Sequence, residues 1–157
     1  MNIRLLRPGD EDVVRELAGR EPQTRLLADE RTILLVAFDE EAPVGFVLAY
    51  ELPRRQGDAS ILFVYEIDVR EDRQRRGVGT ALMAELGDLA RSRGIGESFV
   101  ITDESNRVAM AFYARRRARA PGRRRLGVPP LVGLRVVLPL ESILLCHESR
   151  PSRQLRA

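Results

Sequence analysis

Apolar positions in the first half of the chain fall into short runs separated by charged or turn-forming residues. The runs at 3–6, 32–38, 43–50 and 60–69 are rich in β-branched, leucine and aromatic residues, which favour β-strands. An acidic break at 39–41 separates the second run from the third, as in a hairpin. The pattern therefore predicts four strands, of which the middle two form a hairpin.

Between and after these strands the spacing of apolar residues becomes helical. A turn at 8–10 leads into a short helix that Asp10 would cap, and a second short helix is expected at 23–29. Apolar residues then recur at helical intervals from Val78 until Gly94, which predicts a longer helix. A strand at 98–102 and a helix at 107–116 follow, so the order is that of one α/β domain.

The charge divides the chain into two unequal parts. Residues 1–113 hold 15 arginines against 21 acidic residues, whereas residues 114–157 hold 11 arginines against 2 glutamates. The helical spacing stops near Tyr113, and strands at 131–138 and 142–146 are the only elements expected beyond it. We therefore divide the chain into a domain at 1–120 and an atypical Arg/Pro-rich tail at 121–157, disordered in its last ten residues.

Composition limits the class of protein. With 157 residues, 44% of them hydrophobic and 31% charged, the chain fits a soluble globular domain with one core. It lacks the apolar run of about 18 residues that a membrane span requires, and its N-terminus lacks the layout of a secretory signal, so we expect a cytoplasmic protein. The single cysteine, Cys146, excludes an internal disulfide and leaves no metal-ligand cluster, so no metal is expected.

The most informative motif is Gln-Arg-Arg-Gly-Val-Gly-Thr at 74–80, between a strand end and a helix start. Free backbone N–H groups and the helix dipole make such a position an anion site. Gly77 and Gly79 let phosphate oxygens approach the backbone, and Arg73, Arg75 and Arg76 add positive charge. The motif predicts a phosphate loop; the alternative is a tight turn with solvated arginines.

This motif resembles the pyrophosphate-binding sequence of the GNAT superfamily of N-acetyltransferases, Arg/Gln-x-x-Gly-x-Gly/Ala, which residues 74–79 fit in full. A second motif of that superfamily, Asn-x-x-Ala-x-x-x-Tyr, matches residues 106–113. The resemblance implies a GNAT-like fold with a central, mostly antiparallel twisted sheet flanked by about four helices, although the C-terminal strands are atypical. It also implies acetyl-CoA as co-substrate and no metal.

The resemblance assigns roles on the donor side of the site. The loop would bind the pyrophosphate, the strand backbone at 67–69 would pair with the pantetheine arm, and the N–H of Val69 would polarise the thioester carbonyl. Asn106 would contact the cofactor arm, cap its own helix, or do both. The residues assigned to the donor are Ile67, Val69, Gln74, Arg75, Arg76, Gly77, Val78, Gly79, Thr80 and Asn106.

Three further segments, at 36–45, 49–53 and 65–69, look like the gentamicin-type aminoglycoside 3-N-acetyltransferases. This likeness implies direct transfer of the acetyl group to the 3-amino group of an aminoglycoside. The alternatives are an N-acetyltransferase of another small amine or of a protein amine, and an inactive GNAT-fold binding module with a basic tail.

The catalytic candidates are Glu66, Asp68 and Tyr113. Glu66, beside the expected thioester, is the first choice for the general base that deprotonates the amine. Asp68 shares its strand face by period-two alternation, and the resemblance makes Tyr113 the acid for the departing thiolate. The alternatives are solvent-facing strand residues for the two carboxylates and a core aromatic for Tyr113.

The expected partner is a small, polycationic amine. Acidic residues outside the strand suit such a substrate, although each is also a candidate for a solvated surface charge. They are Asp29, Glu30, Asp58, Asp103 and Glu104. The basic tail has no interleaved aromatic residues, which argues against nucleic acid as a partner, and the resemblance implies a homodimer through the final strands.

The tail departs from the family pattern. Where relatives have a Leu-Gly-Phe type of turn and two closing strands, residues 114–119 read Ala-Arg-Arg-Arg-Ala-Arg. Together with the reversal of charge, this suggests that the tail is read in a shifted frame relative to its relatives. The hypothesis predicts that the last strands of the sheet are missing or replaced.

Overall fold

The computed structural model describes residues 1–18, 22–57, 59–102 and 134–139, the last of these segments as backbone. Six strands form one sheet in sequence order. They are β1 Asn2–Leu5, β2 Thr32–Asp39, β3 Ala42–Pro53, β4 Ser60–Val69, β5 Glu97–Thr102 and β6 Leu134–Pro139. The helices are α1 Glu11–Leu17 and α2 Val78–Ser92, with 3₁₀ turns at Thr24–Ala28 and Glu71–Arg73.

Neighbouring strands are antiparallel except for β4 and β5, which run parallel because α2 carries the chain back across the sheet between them. The prediction of a mixed α/β fold with a mostly antiparallel sheet is confirmed. Strand β6, from the tail, pairs with β5 along its whole length. The helix expected at 107–116 and the strand expected at 142–146 lie outside the described residues, and the boundary at 120 stays a prediction.

Apolar side chains cover both faces of the sheet, which explains why β2 reads as a continuous apolar run rather than an alternating one. On one face the core of α2 packs against alternate positions of β2, β3 and β4. On the other face α1 and the first 3₁₀ turn cover a smaller cluster, which includes Leu6, Val14, Leu27, Leu34, Val36, Phe38 and Leu48. The sheet is therefore the middle layer of three.

Helix α2 ends where the sequence predicts. Gly94 adopts a left-handed φ of 73°, its N–H donates to Arg91 O at 2.9 Å, and the N–H of Ile95 reaches Ala90 O at 2.9 Å. This is the Schellman arrangement, in which a glycine past the helix end satisfies the last carbonyls. Ile95 is then buried under the helix, which fixes where β5 begins.

The predicted helix cap at Asp10 is wrong. Asp10 stands at the N-cap position of α1, but its carboxylate accepts the N–H of Arg7 at 2.9 Å instead of a helical N–H. Glu11 in turn accepts the N–H of Gly9 at 3.1 Å, and this bond is the main reason why the pKa of Glu11 is lowered. The acidic residues therefore close the turn before the helix rather than the helix itself.

Strands β3 and β4 approach closely where Gly45 faces Val69. A Cβ added to Gly45 would lie 2.9 Å from Asp68 O and 3.2 Å from Val69 Cγ2. Because one neighbour is backbone, Gly45→Ala must push the strands apart, and we expect a loss of about 1–3 kcal/mol in the free energy of unfolding. Urea unfolding measures this loss.

The matched control for that substitution is Gly96→Ala, because Gly96 has no positive φ and a Cβ there meets no atom within 4 Å. An alanine at such a position should be neutral or stabilising by about 0.4–1 kcal/mol. Equal stabilities for the two alanine variants would contradict the close contact between β3 and β4.

Candidate active site

Strand β4 carries one extra residue in the middle of the site. Leu48 of β3 pairs with Glu66, but the next residue, Ala49, pairs with Val64, so Tyr65 is a β-bulge. Before the bulge Leu62 and Val64 face the core under α2; after it Ile67 and Val69 pack on that core. The bulge thus turns Glu66 and Asp68 outwards, onto the opposite face of the sheet.

The bulge also marks the point at which β4 separates from β5. The two strands pair only from Leu62 to Val64, with Ser98 to Val100 as partners. From Tyr65 to Val69, the edge of β4 that faces β5 pairs with no strand in the described part of the chain. This stretch, which we call the open edge, leaves backbone groups available to a ligand.

The register shows which groups these are. Arg70 N–H donates to Val44 O at 3.0 Å, and hydrogen-bonded pairs alternate along an antiparallel ladder. The N–H groups of Ile67 and Val69 therefore point away from β3, towards the open edge. The N–H of Val69 donates to the carboxylate of Asp68 at 2.9 Å, and the carbonyl of Val69 accepts from Gln74 Nε2 at 2.9 Å.

The segment between β4 and α2 has the backbone of an anion site. Arg75 and Gly77 are left-handed, with φ of 57° and 87°, while Arg76 between them is not. Such alternation turns successive N–H groups to one side. The first helical bond of α2 runs from Ala81 N to Gly77 O at 2.9 Å, so the N–H groups of residues 78–80 have no acceptor inside the helix. No side chain of the described residues caps them.

The arginines around this loop fall into two groups. Arg73 pairs with Asp39 and with Asp72, so its charge is neutralised and does not serve the loop as the sequence suggested. Arg70 binds Asp72 through two hydrogen bonds, of 2.7 and 2.9 Å, which lower the pKa of Asp72 to about 2. Arg75 and Arg76 are exposed and form no ion pair with any described residue. Two cations that no described residue pairs therefore flank the loop.

Glu66 is exposed and lines, with Phe63, Tyr65 and Ile101, a shallow and open surface cavity of about 480 Å³. Asp68 is also exposed, but the N–H of Val69 holds its carboxylate against the strand. The structure thus brings both predicted carboxylates to one face of the open edge, and leaves that of Glu66 directed at the cavity.

Two predicted acceptor residues, Asp29 and Glu30, border a larger cavity of about 570 Å³ at the C-terminal end of α2. The carbonyl of Glu30 accepts from Arg93 Nη1 at 3.0 Å, which ties this segment to the helix. Asp29 is also close enough to Tyr50 of β3 to influence its ionisation. Asp29 therefore lines the larger cavity and lies within electrostatic reach of Tyr50.

The other predicted site residues fall outside the described part of the chain. These are Asn106, Tyr113, Asp58, Asp103 and Glu104. In the part that is described, no group of three or more potential ligand side chains could hold a metal ion, and no helix combines the length and the apolar character needed to cross a bilayer.

Sequence reasoning missed the bulge at Tyr65 and the aromatic residues that surround it. The signal was present in the order of apolar residues, because Leu62 and Val64 set an alternation that Ile67 and Val69 resume one residue late. A shift of this kind inside a strand is the mark of an inserted residue.

A family model and several solved structures match the chain. The family model described as "Acetyltransferase (GNAT) family" matches residues 4–117. No curated protein sequence matches the chain significantly.

Solved structures share the fold. An aminoglycoside acetyltransferase, meta-AAC0020, from an uncultured soil metagenomic sample has a TM-score of 0.68 and 22% identity over 85% of this chain and 95% of its own. A second aminoglycoside acetyltransferase, HMB0005, also from an uncultured soil metagenomic sample, has a TM-score of 0.66 and 25% identity. The match covers 83% of this chain and 98% of HMB0005. A ribosomal-protein-alanine N-acetyltransferase from Brucella melitensis biovar Abortus 2308 has a TM-score of 0.63 and 24% identity. The match covers 83% of this chain and 100% of the Brucella protein.

The family match extends over most of the chain and takes in the open edge, the phosphate loop and α2. The chain belongs to the GNAT acetyltransferase family and is an acetyltransferase.

Proposed function

We propose that this acetyltransferase takes its acetyl group from acetyl-CoA and transfers it directly to the 3-amino group of an aminoglycoside. The observation that carries the proposal is the open edge of β4, where outward N–H groups and the carboxylate of Glu66 lie between the cavity and the phosphate loop. A donor bound along this edge and an acceptor in the cavity would meet at Glu66.

The donor side has the donors and charges that acetyl-CoA requires. The N–H groups of residues 78–80 and the cations Arg75 and Arg76 suit a pyrophosphate. The N–H of Ile67 suits an amide carbonyl of the pantetheine arm. When bound, acetyl-CoA supplies the acetyl group as a thioester, and a backbone N–H aimed at its carbonyl oxygen, as we propose for Val69, stabilises the negative charge that develops there.

Glu66 is the proposed general base. An aliphatic amine such as that of lysine has a pKa of about 10.4, so it is mostly protonated at neutral pH and must lose a proton before it can attack. The Glu66 carboxylate faces the cavity, whereas that of Asp68 already accepts the N–H of Val69. We therefore assign Asp68 to covering that N–H until acetyl-CoA displaces the carboxylate and the thioester carbonyl takes its place. The roles of Asn106 and Tyr113 rest on the family motif alone.

The acceptor is assigned to the aminoglycosides on two grounds. The solved aminoglycoside acetyltransferases are similar over most of the chain, and meta-AAC0020 has been captured with sisomicin. The carboxylates of Asp29, Glu66 and Asp68 also give the acceptor side a negative potential, which attracts a polycation. The 3-amino position rests on the likeness of the segments at 36–45, 49–53 and 65–69.

A protein amine is the second candidate acceptor. The ribosomal-protein-alanine N-acetyltransferase covers the same share of this chain as HMB0005, at nearly the same identity. We further propose a cytoplasmic location, and a homodimer built through β6, which is the last strand of the sheet in the described part of the chain.

The test is coenzyme A release by the purified full-length protein with acetyl-CoA and, in parallel, gentamicin, spermidine and a peptide with N-terminal alanine. We expect release that depends on gentamicin and a product that NMR shows to be acetylated at the 3-amino group. Release with the peptide alone would replace the proposal by the protein acceptor. Acetylation of gentamicin at another amine would support an aminoglycoside as substrate but contradict transfer to the 3-amino group.

A further inference from the structure

Four aromatic side chains touch one another in a row across β3, β4 and β5. The ring centroids of Tyr50 and Tyr65 are 5.7 Å apart, and those of Tyr65 and Phe63 are 5.9 Å apart, both edge to face. Phe63 stacks on Phe99 at 4.8 Å with an interplanar angle of 13°. We call these residues the aromatic row.

The row lies on the face of the sheet opposite to α2. Tyr50 packs on the cluster under α1, and it pairs across the strands with Phe63, which in turn pairs with Phe99. The chain has only five phenylalanines, three tyrosines and no tryptophan, so half of its aromatic residues stand at this one place. Tyr65, the bulge residue, is 57% exposed, and Ile101 beside it is 52% exposed.

The row is bordered by negative charge. Glu66 lines the 480 Å³ cavity together with Phe63 and Tyr65. Burial raises the pKa of Tyr50, and the nearby Tyr65, Glu66 and Asp29 raise it further. A cavity with exposed aromatic rings and a carboxylate at its edge is complementary to a cation that carries an apolar surface.

We propose that the aromatic row binds the acceptor and makes the enzyme selective for amines carried on a saturated ring, with one ammonium group over Tyr65 and another directed at Glu66. This inference rests on the proposed function and adds the determinant of acceptor choice. A ring with equatorial substituents presents a flat C–H surface to the row, while its ammonium groups gain cation–π attraction. A linear polyamine lacks such a surface, so it gains less binding free energy from the row.

The test uses binding rather than turnover. Calorimetry measures the affinity of the full-length protein for kanamycin and for spermidine, and separately for acetyl-CoA. The variants are Tyr65→Leu, which keeps apolar area without the ring, and Tyr65→Phe, which keeps the ring without the hydroxyl. Because Tyr65 is exposed, both should fold, and thermal unfolding with acetyl-CoA affinity verifies this. Tyr65→Lys is the additional variant. It places a positive charge in the row, which repels the ammonium groups of the acceptor.

We expect Tyr65→Leu to weaken kanamycin binding about tenfold, equivalent to about 1.4 kcal/mol, and spermidine binding less than twofold. Tyr65→Phe should bind kanamycin as the wild type does, and Tyr65→Lys should weaken it most. If kanamycin binds the wild type and Tyr65→Leu equally well, the aromatic row is not the acceptor platform, although the proposed function stands. If the wild type binds neither kanamycin nor gentamicin, both proposals fall.

Discussion

Replacing Glu66 by glutamine should lower kcat/KM for the amine acceptor by about 10²–10⁴-fold, the usual loss on removal of a general base. Glutamine keeps the shape of the side chain, and the position is exposed, so neither stability nor acetyl-CoA affinity should change. The ratio of wild-type to variant kcat/KM should fall as the pH rises, because the unprotonated amine becomes more abundant without help from the enzyme. Steady-state kinetics between pH 6.5 and about 10, with calorimetry for acetyl-CoA, measures all three effects.

The matched control is Asp68→Asn, on the same face of β4. Asparagine still offers a carbonyl oxygen to the N–H of Val69, so this variant should retain most of its activity. A loss in Asp68→Asn as large as that in Glu66→Gln would assign proton removal to both carboxylates. A fully active Glu66→Gln variant would remove Glu66 from the mechanism.

The second large effect is expected at the phosphate loop, where Gly77→Asp should abolish tight binding of acetyl-CoA. A Cβ at Gly77 meets no atom within 4 Å, and the left-handed φ of 87° is one that asparagine and aspartate tolerate better than other residues. Two like charges 4 Å apart near a protein surface repel by roughly 4 kcal/mol. Even a third of that repulsion corresponds to a tenfold rise in the Kd for acetyl-CoA.

Gly77→Asn isolates the charge, since it has the same shape and the same backbone strain without the carboxylate. We expect its Kd to rise only a few-fold, and the gap between the two variants to narrow in high salt. Gly57→Asp places the same charge on another open, left-handed glycine before the other end of β4, roughly 30 Å away along the strand. It should bind acetyl-CoA normally. Equal losses in the aspartate and asparagine variants would show that backbone strain, not phosphate binding, accounts for the effect.

The elements of the fold could be predicted because each carries a local signal. The periodic apolar residues of α2 and the glycine beyond its end specify that helix, and the acidic break at 39–41 specifies the hairpin. Asp10 shows where such reasoning fails: a carboxylate before a helix has several N–H groups within reach, and here the turn at Arg7 outcompetes the first turn of the helix.

The parts of the candidate site could be selected from the sequence, but their arrangement could not. Motif and strand position were enough to select Glu66 and the loop, because both depend on residues close together in sequence. The contact between Asp68 and Val69 and the row from Tyr50 to Phe99 depend on register across strands, which a single sequence does not contain. Arg73 likewise matched the pattern, but its pairing with Asp39 required the fold.

The bulge at Tyr65 bears on how this enzyme can be varied by evolution or in the laboratory. Side-chain changes at Tyr65 preserve the register of β4, whereas deletion of the residue would restore simple alternation. Leu62, Val64, Ile67 and Val69 would then alternate regularly on the side under α2, and Glu66 and Asp68 would stay on the opposite face. Libraries aimed at new acceptors can therefore both vary the identity of residue 65 and omit it, since either change keeps the apolar side of β4 in the core under α2.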